Sequence, residues 1–137
     1  MTNLPLQELT DRQAITDLVS RLALWLDEHR SDDPRSILTE DVTVATAGGT
    51  AQGIEHVAAQ ARRTHDVEGL QHVITNVLVD LDGDRATARA NLIVTFVPRA
   101  DAPQTHTMRG ERYRFEAMRT AEGWRLSRVA VDPIWTA

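Results

Sequence analysis

The sequence predicts an α+β domain in which a strongly curved, mixed but mainly antiparallel sheet wraps around helices and forms a cone with an internal pocket. Three observations lead there. Helical periodicity is confined to roughly the first 65 residues, whereas long alternating segments joined by short turns fill the remainder. These strands run to 12 or 14 residues, a length at which a sheet has to bend. The segment from Gly69 to Asp80 is also apolar on both faces, so both faces are covered.

The elements follow in order. From Leu9 to about Glu28, Ile15, Leu18, Val19, Leu22, Trp25 and Leu26 repeat at the i, i+3, i+4, i+7 spacing of one buried helical face, with Thr10 or Asp11 as the expected cap. Asp27 lies in the last turn at the edge of that stripe, where a carboxylate opposes the helix macrodipole and calls for a compensating partner. Ser31-Asp32-Asp33-Pro34 breaks the helix, and Pro34 suits the first turn of a short one over Arg35 to Leu38. Asp41 to Thr46 reads as a strand ending at Gly48-Gly49, and Gly53 to about His65 as a second amphipathic helix. The long strands come next: Gly69 to Asp80, Arg85 to Val97, Thr105 to Met118 and Gly123 to Ile134. Asp82-Gly83-Asp84 and Thr120 to Gly123 are hairpin turns, and Pro98 to Pro103 is a longer connection.

The 137 residues are expected to form one domain, residues 1–137, with a hydrophobic fraction of 42%. A net charge of −5 with scattered basic residues argues against nucleic acid or an anionic membrane as partner. Without cysteine there is no disulfide, thiolate metal site or cysteine nucleophile. Met1 to Pro5 has no basic, apolar leader pattern, and no stretch reaches membrane-span length, so a cytoplasmic location is expected. The five histidines show neither HxH nor HExxH spacing, and no flavin, haem or phosphate-loop signature is present; neither metal nor cofactor is expected.

Strict alternation along the Gly69 strand puts Leu70, His72, Ile74, Asn76 and Leu78 on one face and Val73, Thr75, Val77 and Val79 on the other. His72 and Asn76 then look into an interior, where a polar pair needs partners or a ligand. An imidazole held by a carboxylate is a workable general base or acid, because the carboxylate selects one tautomer and favours the imidazolium. Asn76 is a candidate oxyanion donor or substrate contact. Tyr113 alternates with Glu111 and Phe115 and can face the same interior; Asp132 can cross the mouth of the cone, and Trp25 can line it. Each also has a plain structural role open to it: core packing for Trp25, Tyr113 and His72, a backbone hydrogen bond for Asn76, and a turn before Pro133 for Asp132.

Leu26-Asp27 followed by Asp32-Asp33, Leu38-Thr39-Glu40-Asp41-Val42, Gly53-Ile54, Gln71-His72 with Asn76, Asp82-Gly83-Asp84-Arg85-Ala86 and Gly123-Trp124-Arg125 together resemble the SnoaL-like family of the nuclear-transport-factor-2-like superfamily, in its scytalone-dehydratase-like and polyketide-cyclase-like branch. The resemblance covers nearly the whole chain and implies a cystatin-like cone. In the dehydratases it points to, an Asp at the end of the first helix pairs with a His at the start of the long strand. Asp27 and His72 stand at those places, while Trp25-Leu26 replaces the tyrosine that those dehydratases carry just before the Asp. The resemblance thus implies a cofactor-independent lyase or isomerase, a dehydratase or cyclase, with a small polyketide- or steroid-like substrate. The alternatives are a non-catalytic small-molecule-binding or accessory protein, and an epoxide hydrolase of the limonene-epoxide-hydrolase type using Asp27, Arg89 or Arg109, and Asp132. Apolar side chains on both faces of Ala88 to Val94 further predict a homo-oligomer, dimer or trimer, formed through the sheet.

Overall fold

The computed structural model describes residues 4–137. Helix α1, Leu4–Glu28, leads through a 3-10 turn, Pro34–Ser36, into a hairpin of β1, Leu38–Thr46, and β2, Gly49–Gln52. Helix α2, Ile54–Thr64, precedes four long strands: β3, Gly69–Asp82; β4, Arg85–Val97; β5, Thr107–Thr120; and β6, Gly123–Thr136. The six strands form one sheet in the order β2-β1-β6-β5-β4-β3. Only β1 and β6 run parallel; every other pair is antiparallel, as in a mixed, mainly antiparallel sheet.

Side-chain size along the strands determines where the helices can approach. Ala86, Ala88 and Ala90 on β4 and Ala117 on β5 are buried on the inner face, near the β3–β4 and β5–β6 turns. Small residues there admit α1, whose Ile15, Leu18 and Val19 are almost wholly buried. Farther along the same strands the inward residues become Leu92, Val94, Glu111 and Tyr113, and a cavity opens beneath the C-terminal half of α1. The cone is therefore packed at one end and hollow at the other.

The packed end is tied by a polar cluster that the sequence reading did not anticipate. Among the described residues helix α1 already runs from Leu4, not Leu9, so Thr10 and Asp11 lie inside it and cap nothing; the Thr10 hydroxyl donates to the Leu6 carbonyl instead. Asp11 is buried and accepts hydrogen bonds from Arg119 (3.1 and 2.8 Å), the Trp124 indole (3.0 Å) and Gln7 (3.0 Å). Arg119 also bonds Asp84 across the neighbouring turn. The expectation that Met1 to Pro5 lacks a leader pattern rests partly on Met1 to Asn3, which lie outside the described residues.

Two further differences concern strands. The Gly48-Gly49 stretch turns the chain back into β2 instead of ending strand structure, with Gly49 at φ 132°. In β3 the alternation breaks: Thr75 pairs Asn91 and Leu78 pairs Arg89, so Asn76 and Val77 together oppose Ala90. Asn76 is the bulge residue, left-handed at φ 59°, a conformation asparagine tolerates better than most residues. Beyond it the faces exchange. Val77, Val79 and Leu81 turn inward, and Leu78 is left 63% exposed.

The Arg119 hydrogen bonds hold the Asp11 carboxyl down at about 2, against a burial penalty that opposes them. A carboxylate whose pKa is lower folded than unfolded contributes stability above the unfolded value, and that contribution is lost as pH falls toward the folded one. Asp11→Asn should cost about 2 kcal/mol at neutral pH. In urea titrations the gap between wild type and variant should shrink as pH falls from about 4 towards 2; a gap that stayed constant through that window would contradict the assignment.

Candidate active site

Asp27 occupies the last turn of α1, where the helix dipole disfavours a negative charge. The start of β3 supplies the compensation. The Asp27 carboxylate accepts the His72 backbone N–H at Oδ2 (2.9 Å) and meets the His72 ring Nδ1 at Oδ1 (2.6 Å). Arg30 donates to the Leu26 carbonyl (2.6 Å), adding a cation at the same helix end. Since an ionised carboxylate can only accept, the proton of this contact belongs to His72 Nδ1. Nε2 is then the acceptor nitrogen of the neutral ring, and it has no protein partner among the described residues.

The His72 side chain is 3% exposed and that of Asp27 14%. His72 borders a cavity of about 640 Å³. Leu22, Trp25 and Leu26 of α1 roof it, Val57 and Ala61 of α2 close one side, and Leu92, Val94 and Val129 belong to its sheet wall. A space of that size holds a ligand of two or three fused rings.

Polar groups in the cavity converge on the dyad. The His65 ring lies against His72 (centroids 5.5 Å apart) and against Phe96 (5.9 Å), while the Arg109 guanidinium sits 5.0 Å from the Phe96 centroid. His65 Nδ1 donates to the Ala61 carbonyl (2.9 Å). Burial pushes its pKa down to about 4, so at neutral pH it presents an uncharged ring beside His72. Tyr113 is 3% exposed; burial, and then the charges of Glu111 and Asp27, raise its pKa, which keeps the phenol protonated and a donor. Glu111 is half-buried, and desolvation raises its pKa although Arg109 and His72 pull it the other way.

Of the residues singled out in the sequence, the fold brings together Asp27, His72, Trp25 and Tyr113. Trp25 lines the cavity with its ring while its indole N–H is spent on the Asp32 carbonyl (2.9 Å). Asn76 is not among them. The bulge exposes it to solvent on β3, so a two-residue count from His72 gives the wrong face. Asp132 lies on the outer face of the sheet, ion-paired with Arg114 (2.8 Å). Arg89 also faces outward, so the Asp–Arg–Asp arrangement of the epoxide-hydrolase alternative is not assembled. His65 and Glu111 were not chosen as site residues from the sequence, and Arg109 only as one of two arginines open to the epoxide-hydrolase alternative. For the two strand residues the available signal was inward alternation with Tyr113; His65 gave none.

Among the described residues no cluster of His, Asp or Glu could hold a metal ion, and no helix is long and apolar enough to cross a membrane. The sequence matches no curated protein. Among solved structures, a Kribbella flavida protein is 27% identical, with 95% of each chain covered and a TM-score of 0.86. A protein from Novosphingobium aromaticivorans, described as nuclear-transport-factor-2-like with a cystatin-like fold, is also 27% identical; 96% of this chain and 86% of that one are covered at a TM-score of 0.83. A type 2 hexachlorocyclohexane dehydrochlorinase, LinA, shares the fold at 20% identity, with 97% of this chain and 91% of that one covered and a TM-score of 0.84. The SnoaL-like domain model matches residues 7–130, and the chain belongs to that family.

Proposed function

We propose that this protein is a cofactor-independent lyase or isomerase of the dehydratase or cyclase type, acting on a small, largely apolar carbonyl compound. One observation carries the reading: a single carboxylate, Asp27, takes both N–H groups of His72 and leaves Nε2 facing an apolar cavity. Nε2 removes a proton from the carbon next to the carbonyl, Asp27 stabilises the imidazolium that forms, and the Tyr113 hydroxyl donates to the developing enolate oxygen. The enolate then expels a leaving group, closes a ring or takes the proton back at another carbon. The likeness to a dehydrochlorinase, whose name describes an elimination, supports this class. So does the largely apolar wall beside the dyad, which includes Leu22, Leu26, Val94 and Val129.

Proton abstraction can be measured without knowing the natural leaving group. In deuterium oxide, wild type should accelerate exchange of the C2 hydrogens of 1-tetralone, and His72→Ala should slow that exchange by about 100-fold or more with the fold retained. Exchange equally fast in both proteins would contradict the dyad. Binding of the ketone with no exchange above buffer would favour the alternative reading, a small-molecule-binding protein with the same cone.

The outer face supports a homo-oligomer formed through the sheet. Val73, Ile93, Gly110 and Trp135 are in register across β3, β4, β5 and β6. Val73, Ile93 and Trp135 are 49%, 41% and 43% exposed, and Gly110 leaves the space the indole occupies, since a Cβ there would meet the ring at 2.2 Å. An apolar row of this kind is costly in water and matches a second copy of itself. Sedimentation at micromolar concentration should show a dimer or trimer that Ile93→Asp dissociates, and a monomeric wild type would refute the interface.

A further inference from the structure

Resting on the proposed reading of His72 as the base, we infer that Glu111 is a second catalytic residue, the general acid that protonates a departing hydroxyl, and that Arg109 beside it holds the substrate's oxygen. Loss of water from a β-hydroxy carbonyl compound, the dehydratase form of the proposed function, is the reaction that uses such an acid.

The placement follows from strand register. His72, Val94 and Arg109 are directly paired across β3, β4 and β5, and Ile74, Leu92 and Glu111 form the adjacent inward row. At about 4.8 Å per strand and 6.7 Å per two residues, His72 and Glu111 have backbones about 12 Å apart on a flat sheet. Side chains reaching inward from a concave surface reduce that distance. The imidazole and the carboxyl therefore stand on adjacent rows of one wall, from which they can address opposite ends of one carbon–carbon bond. Both line the same cavity.

Neither Glu111 nor Arg109 is consumed by the protein. Among the described residues Glu111 has no hydrogen-bond partner, and Arg109 has no carboxylate within 4.0 Å, only the face of Phe96 at 5.0 Å. Arg35, Arg114 and Arg119, by contrast, are each ion-paired with a carboxylate. Desolvation raises the Glu111 pKa against the pull of Arg109 and His72, so the protonated form, the one that donates, is easier to reach than in an exposed glutamate. A guanidinium on the same wall offers planar donors to a carbonyl or enolate oxygen.

The step balances without another reactant. His72 Nε2 takes the α-proton, electrons pass through the enolate to break the β-carbon–oxygen bond, and the Glu111 proton joins the leaving oxygen to give water. The imidazolium then returns its proton to the Glu111 carboxylate. Hydroxide needs that proton and chloride does not, which provides the test.

Wild type, His72→Ala and Glu111→Gln would be assayed on 3-hydroxy-1-tetralone and 3-chloro-1-tetralone, both of which yield 1-naphthol. In Glu111→Gln the ratio of water loss to chloride loss should fall at least tenfold, and Glu111→Asp should recover part of it. An unchanged ratio in Glu111→Gln overturns the assignment of the acid while leaving the base intact. Equal rates for His72→Ala and wild type overturn the underlying reading instead. A second readout needs no turnover: with 13C-labelled glutamate, the Glu111 carboxyl signal, identified by its loss in Glu111→Gln, should titrate above the exposed glutamates of the same spectrum. Titration among or below them overturns the proposal even if neither ketone reacts.

Discussion

Everything at the open end of this molecule depends on the carboxylate of Asp27. It sits where a helix end repels it, and it is held there because β3 presents two N–H groups of one residue, His72, at 2.9 and 2.6 Å. The arrangement works in both directions. It relieves the unfavourable charge at the end of α1, and it assigns a proton to His72 Nδ1, so that Nε2 is the acceptor nitrogen whenever the ring is neutral. At the other end of α1, Asp11 gathers Arg119, Trp124 and Gln7. A helix of 25 residues is thus fastened to the sheet near both ends, and the cavity is the space left where inward side chains no longer fill the gap beneath it.

The bulge at Asn76 separates two uses of the same strand. Before it, Leu70, His72 and Ile74 point inward; after it, Val77, Val79 and Leu81 do. Without the extra residue one half of β3 would turn its apolar side chains to solvent, because a one-residue slip reverses every side chain. The bulge therefore lets the strand supply both the imidazole that Asp27 holds at its start and a continuous apolar surface for α1 farther on. Its cost is an asparagine in the left-handed region, modest for this residue type.

Much of this architecture was legible in the sequence, and the parts that were not share a cause. The two helices, the long strands and their hairpin turns follow from periodicity and turn chemistry, and Asp27 and His72 from a family resemblance at matching positions. Asn76 was misplaced because period-two counting has no means of registering an inserted residue. Asp11 was read as a cap because a buried aspartate inside a helix makes sense only once Arg119 and Trp124, more than 100 residues away, arrive beside it. Asp132 was drawn into the cone by its position near a strand end, but the bulge at Ser127 turns Val129, Val131 and Pro133 inward and leaves Asp132 outside, paired with Arg114. The short strand β2 was lost because Gly49-Thr50-Ala51-Gln52 carries almost no apolar pattern and forms only by pairing with β1.

The cavity has a chemical polarity that the fold alone does not dictate. On one side stand a histidine and its carboxylate, and across the sheet wall stand an arginine and a glutamate that have no ion-pair partner among the described residues; apolar residues lie between. All of this presupposes that His72 carries its proton on Nδ1 because Asp27 requires it. The direct measurement is the pair of 15N chemical shifts of the His72 ring at neutral pH, in wild type and in Asp27→Asn. A protonated Nδ1 and an unprotonated Nε2 in wild type, with that preference lost in the variant, is the result expected. A proton on Nε2 in wild type, or shifts indifferent to the substitution, would contradict the account.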